Sequence, residues 1–361
     1  MKLFYFFTTH KKFLFHNGGD VYTRNLISFL KAEFEIDVGY FQHEQSSNLI
    51  CKIKKLWSVV SSLFSYYPAK VCYFKRKISK NEVEKILLSK ALFIDHLDLY
   101  WFAIEAKKIN PELKVFLVNH NFESKLYKSG LSRVLRFFLY FDIKKYLDFE
   151  ANALATSDFV IALSKQDQNI FTKYNKNVFL QLPLFDYERS KAPISKSKYI
   201  RIGCIVNMNW WPNAEGVNWF LNNVIPIINN QYKSKVEFNF YGPKTDKLDV
   251  TSGVVNGHGF VESLSEVWLN NDIMINPVFN GSGINIKMCE YLYNNKPVLS
   301  SSFVKNAFPE EALSSVVFAD SADEWASAIC NFVDGIIPEV SEDTHCLFSR
   351  LSFIEELKFE S

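Results

Sequence analysis

Short apolar runs alternate with amphipathic stretches along most of the chain, the pattern of β–α units around a parallel sheet. Lys2–Thr8, Phe34–Phe41, Ala91–Asp95, Val115–Asn119 and Asp158–Leu163 predict strands in the first half. Between them Tyr22, Leu26, Phe29 and Leu30 recur on one helical face, and a long helix is expected over residues 131–154. Asn17–Asp20 reads as a loop with Asp20 as N-cap, and Ser164 with Asp167 three residues on resembles a capping arrangement. The composition changes between Pro183 and Lys198, where DYERSKAPISKSK is polar, charged and punctuated by proline, as interdomain linkers are. The alternation then restarts. Tyr199–Val206 is a strand, Asn213 begins a helix carrying Val217, Phe220, Leu221, Val224 and Ile225 on one face, and Val236–Tyr241 is a further strand. Gly257–Phe260 leads a shorter unit, and Asp272–Pro277 reads as a buried strand. The prediction is an α/β chain of two doubly wound units with a cleft between them, ligands lying at the carboxyl ends of the strands.

The stretch from Phe279 to Ser301 carries the most chemistry. Gly281, Ser282 and Gly283 put little bulk around the backbone after the buried strand. Ile284, Met288, Tyr291 and Leu292 then fall on one face of an expected helix, with Lys287 and Glu290 three apart on a neighbouring face. Strand, small-residue loop and helix start expose backbone N–H groups and the positive end of a helix dipole to an anion. Lys287 adds a point charge suited to a phosphate. Glu290, seven residues beyond Gly283 and roughly 10 Å up the axis, is placed for ribose hydroxyls. The same spacing equally fits a tight turn followed by an exposed Lys–Glu pair.

Composition narrows the classes. The 361 residues favour two domains, and 48% hydrophobic with 16% aromatic residues excludes a disordered chain. A formal net charge of +2 gives no global field for nucleic acid. No apolar run approaches the roughly 18 to 20 residues of a spanning helix, and the N-terminus reads as a strand rather than a signal peptide. The cysteines are scattered without metal-ligand spacing. Together these features predict a reduced, cytoplasmic protein that needs no metal or other cofactor. One further segment stands out. Lys52, Lys54 and Lys55 precede a stripe of Leu56, Val59, Val60, Leu63, Phe64 and Tyr67, with serines on the other face. That stripe suits either a core-facing helix or one lying on the surface of the inner membrane.

The segments NMNWWPNAEGVNWFLNNVIPII, GHGFVESLSEVWLNNDIMINP and NGSGINIKMCEYLYNNKPVLS resemble, in order and spacing, the C-terminal half of retaining glycosyltransferases of the GT-B fold, family 4. HNGGDVYTRNLISFL, VNHNFESKLYK and DFVIALSKQDQNIF fit its N-terminal half more loosely. The resemblance implies two Rossmann-like domains: an acceptor-side domain over 1–185, a linker over 186–198, and a nucleotide-sugar domain over 199–344. A C-terminal helix of about 345–361 would pack back on the first. It also implies residue roles. Glu290 would hold the ribose, and Gly281, Ser282, Gly283 and Lys287 the donor diphosphate. Gly18 and Gly19 would approach the donor phosphate from the other side, His120 would sit by the transferred sugar, and Val261 would touch the base. His120, Lys287 and Glu290 are thus the catalytic candidates. His16 and the Asp95–His96 pair, near predicted strand ends, rank below them, and Trp210, Trp211 and Trp219 read as packing.

Two departures stand out. Ser282 occupies the place where many members carry a glutamate, and Asn207–Trp210 replaces a basic Arg and Lys pair. The implied activity is retaining transfer of a sugar from a nucleotide-sugar to a glycan or glycolipid hydroxyl, in bacterial surface polysaccharide or lipid-linked oligosaccharide assembly. No paired carboxylates for a double displacement are visible. The departures keep open a non-catalytic partner or glycan-binding subunit, and a sugar-nucleotide epimerase.

Overall fold

The computed structural model describes the chain except residues 1–2, 10–17, 42–47, 190–198, 229, 249–252, 282 and 361. It divides into two units, residues 1–184 with 351–361, and residues 185–350.

The first unit is built on six parallel strands: β1 Leu3–Thr8, β2 Glu35–Tyr40, β3 Ser89–Asp95, β4 Lys114–Asn119, β5 Phe159–Ala162 and β6 Val178–Leu180, in the order β2-β1-β3-β4-β5-β6. Its helices are α1 Gly18–Glu33, α2 Asn48–Leu63, α3 Ala69–Phe74, α4 Lys80–Leu88, α5 Tyr100–Ile109, α6 Glu123–Gly130, α7 Arg133–Phe138, α8 Tyr140–Thr156 and α9 Lys165–Phe171. The strands are continuous apolar runs because helices cover both faces, so neither side needs polar residues. Phe93, Phe116 and Phe159 stack across β3, β4 and β5 at 4.7 and 4.5 Å. Phe353 lies 6.2 Å from Phe93 and 6.1 Å from Phe116, which seats the C-terminal segment on this sheet.

The second unit repeats the plan with β7 Ile200–Ile205, β8 Val236–Tyr241, β9 Val255–Gly259, β10 Ile273–Asn276, β11 Val298–Ser300 and β12 Val316–Phe318, all parallel, in the order β12-β11-β10-β7-β8-β9. Its helices are α10 Trp211–Trp219, α11 Asn230–Lys233, α12 Leu264–Asn270, α13 Ile286–Tyr293 and α14 Ala322–Val333; α15 Ile354–Glu360 belongs to the first unit. Trp325 and Phe220 lie at the centre of its core.

Several expectations are corrected. Gly18 and Gly19 are the first residues of α1 rather than loop, so Asp20 lies within the first turn instead of capping it. There its carboxylate still complements the dipole. The expected 131–154 helix is two helices, because Leu139 leaves the helical conformation with ψ of 16°. The helix after β7 begins at Trp211, with Pro212 in its first turn, and passes into a π turn over Phe220–Val224. The helix after β10 begins at Ile286, not Ile284, because the Asn285 side chain accepts from the Met288 N–H and sets the cap. The helix of this segment, α2, ends at Leu63 and turns Ser58 and Ser62 inward while Ser61 stays exposed. Ser58 and Ser62 are buried, whereas Trp57 is 65% and Phe64 89% exposed. Their hydroxyls satisfy themselves on backbone carbonyls of Lys55 and Val59, which makes the serine face tolerable inside.

Candidate functional site

In the second unit the strand order reverses between β7 and β10, the place where doubly wound sheets open a crevice. The loop after β10 carries Gly281 at φ 142° and Gly283 at φ 72°, conformations that side chains other than glycine resist. Ser282 lies outside the described residues. Amides anchor the loop at both ends. Asn285 Nδ2 donates to Asn276 Oδ1 at 3.2 Å, and Asn276 Nδ2 donates to Ser300 Oγ at 3.1 Å. Lys287, the second residue of α13, donates from Nζ to Asn213 Oδ1 on α10 at 3.0 Å. The two helices that follow the switch-point strands are therefore joined through Lys287. α10 comes this close because residue 216 is glycine. A Cβ there would sit 1.6 Å from the Pro277 carbonyl oxygen.

Burial presses the Lys287 ammonium below the usual lysine range, against the pull of Cys204 and Glu290. A bound anion would restore its charge. Glu290, one turn further along α13, is half-buried, and its charge helps to raise the buried Tyr187 phenol, burial being the larger cause. Val261 is half-buried in the loop between β9 and α12, at the carboxyl end of β9. Trp210 and Trp211, expected to be packing, are exposed, whereas Trp219 packs on Phe279 at 4.6 Å.

In the first unit the order reverses between β1 and β3, and there the structure assembles a polar cluster. Asp95, the last residue of β3, is fully buried. Thr8 at the end of β1 donates to Asp95 Oδ2 at 2.6 Å, and Thr23 on α1 lies 3.2 and 3.1 Å from its two oxygens. His120, immediately after β4, places Nε2 2.7 Å from Asp95 Oδ1. His96 stacks on the His120 ring with centroids 3.9 Å apart and an interplanar angle of 18°. Its φ of 78° is a strained conformation for a residue with a Cβ. Burial works against the Asp95 charge. The two imidazoles and the hydrogen bonds from His120 and Thr8 outweigh it and hold the carboxyl well below its usual range. Burial, and then the neighbouring His120, push His96 down.

A second carboxylate supports the loop that carries His120. Glu150 on α8 accepts from the backbone N–H groups of Glu123 and Ser124 at 2.8 and 2.9 Å, and from Asn119 Nδ2 at 3.2 Å. Lys70 bridges Asp98 and Glu123 at 3.5 and 3.7 Å.

The structure thus gathers Gly281, Gly283, Lys287 and Glu290 at the second unit's switch point, with Val261 at the end of another strand of the same sheet. His120 lies in the first unit's cluster, and Gly18 and Gly19 open its α1. Sequence reasoning ranked Asp95–His96 low and passed over Thr8, Thr23, Asn213 and Asn285. Asp95 and Thr8 do end predicted strands, the one signal that could have singled them out; Asn213 gave none beyond its place near a helix start.

Residues 200–334 match the family model described as "Glycosyl transferases group 1". A Klebsiella pneumoniae protein, "Uncharacterized 44.6 kDa protein in cps region", is 25% identical over 154 residues, 40% of this chain and 39% of that one. The match therefore spans about two fifths of that relative's length. Among solved structures, Anabaena HepE in complex with UDP is similar with a TM-score of 0.65 at 13% identity, covering 99% of both chains. The lipopolysaccharide outer core galactosyltransferase WaaB follows with a TM-score of 0.62 at 9% identity, covering 100% of this chain and 99% of that one. Sucrose-phosphate synthase from Thermosynechococcus elongatus gives 0.60 at 12%, covering 99% and 98%. These likenesses establish the GT-B fold, two Rossmann-like units with parallel sheets.

Proposed function

We propose that this chain, a group 1 glycosyl transferase in sequence over residues 200–334 and GT-B in fold, moves a sugar from a nucleotide-sugar to an acceptor hydroxyl with retention. The observation that carries the reading is Lys287 at the β7–β10 switch point, held by Asn213 beside Gly281 and Gly283. That is the equipment for a diphosphate leaving group: backbone N–H groups, a helix N-terminus and one cation. HepE was solved with UDP and with UDP-glucose, which favours a uridine donor.

In the step, the acceptor oxygen attacks the anomeric carbon on the face that the leaving phosphate departs. The bond from that carbon to the phosphate oxygen breaks, and the acceptor proton passes to the phosphate. Lys287 and the loop stabilise the negative charge that develops on the diphosphate. Glu290 holds the ribose, Val261 the base, and Gly18 and Gly19 lie toward the phosphate, as the resemblance implies. The similarity to a protein of a cps region supports a polysaccharide setting. The protein works at the cytoplasmic face of the inner membrane, where α2 and the α7–α8 pair offer lipid contact. Phe137 and Phe141 are each 79% exposed, and Lys145 ties α8 to α2 through the Ser62 carbonyl and to the turn after it through the Ser65 carbonyl at 2.9 Å. No helix among the described residues is long and apolar enough to cross a membrane.

A screen of nucleotide-sugars for nucleoside diphosphate release tests the reading, with the anomeric configuration of the product assigned by NMR. Inversion would exclude the same-face step. The second reading, a non-catalytic partner or glycan-binding subunit, is favoured by Ser282 in place of a glutamate and by Asn207–Trp210 in place of the basic pair. Calorimetry that finds no nucleotide bound to the intact chain would support it.

A further inference from the structure

We infer that a groove of the first unit, formed by α2 and the end of α3, binds the diphosphate head of a lipid-linked acceptor. The inference rests on the glycosyl-transfer reading and names the chemical class of its acceptor. The groove has a volume of about 580 Å³, within the range of small-molecule sites. One face of α2 lines it: Lys54, Trp57, Ser58 and Ser61 recur at i, i+3, i+4 and i+7. Cys72 and Tyr73 of α3 contribute from the other helix, with Lys75 and Arg76 just past its end. Phe41, the residue after β2, completes the lining. Its N–H donates to the Thr8 carbonyl at 2.8 Å, so the groove reaches the carboxyl end of the edge strand. Lys54, Trp57, Ser61 and Lys75 are exposed, which leaves the groove open to a ligand.

The lining selects an anion joined to an apolar body. Lys54, Lys75 and Arg76 are cationic, and among the described residues that line the groove none is a carboxylate. Arg76 is already engaged. Its guanidinium forks onto Glu82 at 2.9 and 2.6 Å and lies 5.8 Å from the rings of Phe7 and Phe41. That pair fixes the wall, and the net positive charge comes from the two lysines. Lys75 Nζ rests 3.9 Å from the centre of the Tyr67 ring, a contact that holds an ammonium without neutralising it. Burial raises the Cys72 thiol, so no thiolate offsets the lysines. Two flexible point charges suit the spread charge of a diphosphate. The aromatic part is equally placed. Phe41 is held against Phe74 at 5.3 Å and 70°. Trp57 belongs both to the groove and to the exposed apolar face of α2, which carries Ile53, Leu56 and Phe64. A tail leaving the groove past Trp57 runs onto that face and takes its apolar surface out of water. This continuity favours a lipid carrier over a free phosphate.

Calorimetry on the full chain tests this, with geranyl diphosphate below its micelle concentration as the probe and inorganic diphosphate as the tail-free control. Geranyl diphosphate should bind at least about tenfold tighter than inorganic diphosphate, because only the first has a tail to bury. Lys54→Gln/Lys75→Gln should weaken geranyl diphosphate roughly 10- to 100-fold, as for two charge-assisted contacts. Both side chains are exposed, so the variant should melt like wild type. Lys52→Gln/Lys55→Gln, on the same helix but outside the groove, should cost less than about threefold, the size of a screened long-range attraction. Trp57→Ala should weaken geranyl diphosphate about tenfold and leave inorganic diphosphate unchanged. Lys287→Ala should bind geranyl diphosphate as wild type does.

Wild-type affinity in Lys54→Gln/Lys75→Gln would overturn the inference. So would equal affinity for the two probes, which would make the ligand a free phosphate, and so would a loss that follows Lys287→Ala instead, which would move the anion to the second unit. With a geranyl diphosphate-linked sugar as acceptor, the groove variant should raise the acceptor KM and leave the donor KM unchanged; the reverse would deny the acceptor role. If wild type turns over no nucleotide-sugar, the proposed function falls while the titrations still decide whether the groove holds a lipid diphosphate.

Discussion

At the carboxyl end of the first sheet the polar side chains are buried and rich in carboxylates and imidazoles; at the same place in the second sheet they are amides, glycines and a lysine. Both arise at the switch point of a parallel doubly wound sheet, so the backbone plan does not distinguish them. The difference lies in how charge is compensated. Asp95 is surrounded by donors and two imidazoles, so it stays ionised though fully buried. Among the described residues Lys287 has one amide oxygen as hydrogen-bond partner, and burial of its ammonium outweighs the pull of Cys204 and Glu290. A saturated carboxylate suits fixing a neighbouring ring; an under-compensated cation suits receiving an anion. The two switch points of one chain thus differ in charge compensation although they share one backbone plan.

That comparison can be broken at several points. The most damaging change is Gly216→Ala. Its Cβ would meet the Pro277 carbonyl oxygen, which cannot yield without moving β10 or α10. A loss of about 3 kcal/mol in unfolding free energy is expected, on the scale of severe overpacking. Hydrogen exchange should show the loss confined to residues 185–350, with the Asp95 cluster still protected. Equal loss in both units would deny their separate organisation.

Next comes Lys287→Ala, expected to cost about 1.5–3 kcal/mol in kcat/KM, or roughly 10- to 150-fold, as for a charged hydrogen bond. Because burial depresses the Lys287 pKa, donor affinity in wild type should weaken as pH rises into the alkaline range, and the alanine variant should lack that limb. Unchanged turnover in the variant would remove Lys287 from the site.

A buried lysine of the second unit separates compensation from burial. Lys296 is pushed down to about 8 by burial, with Asp272 pulling the other way and Arg201 adding to the depression. The unfolded chain holds this proton up to its ordinary value near 10.4, so between pH 8 and that value the unfolded state binds more protons and wild type gains stability with pH. The gain is up to about 1.4 kcal/mol per pH unit. Lys296→Met should lack this rise in denaturant titrations at pH 8 and 10; an identical slope would contradict the assignment.

An effect of another kind, on binding and not on stability or turnover, concerns the exposed face of the first unit. Reversing Lys52, Lys54 and Lys55 to glutamate should lower sedimentation with anionic liposomes by on the order of 1 kcal/mol per charge, in a salt-sensitive way. Binding that ignores both charge and salt would leave α2 and the Phe137–Phe141 region without a lipid role.

Much of the architecture was legible because periodicity reports burial on both faces of a parallel sheet. The predicted strand segments lie within a residue or two of the observed strands at most ends, whereas the three-residue strands β6, β11 and β12 were not placed, being too short to show a pattern. Helix starts were less legible, since side-chain caps decide them. Asn285, not the small-residue loop, sets where α13 begins, and Ser58 and Ser62 of α2 are tolerated inside because backbone carbonyls satisfy their hydroxyls. Of the candidate site, Gly281, Gly283, Lys287 and Glu290 were visible as a local pattern because they lie on one continuous segment. The grouping of Asp95 with Thr8 and Thr23 was not, because Thr23 and Thr8 lie 72 and 87 residues from Asp95 along the chain and meet it only where β1, β3 and α1 come together.

The sequence by itself determined the alternation of strand and helix, two doubly wound units and an anion-type loop, all consequences of short-range spacing and side-chain size. Only the tertiary structure decided which charges are compensated. It set Asp95 among three donors, laid His96 over His120 and joined Lys287 to Asn213. The reason is physical: a charge's state depends on what lies within a few ångströms of it in space, and chain order carries that information only for neighbours along the chain.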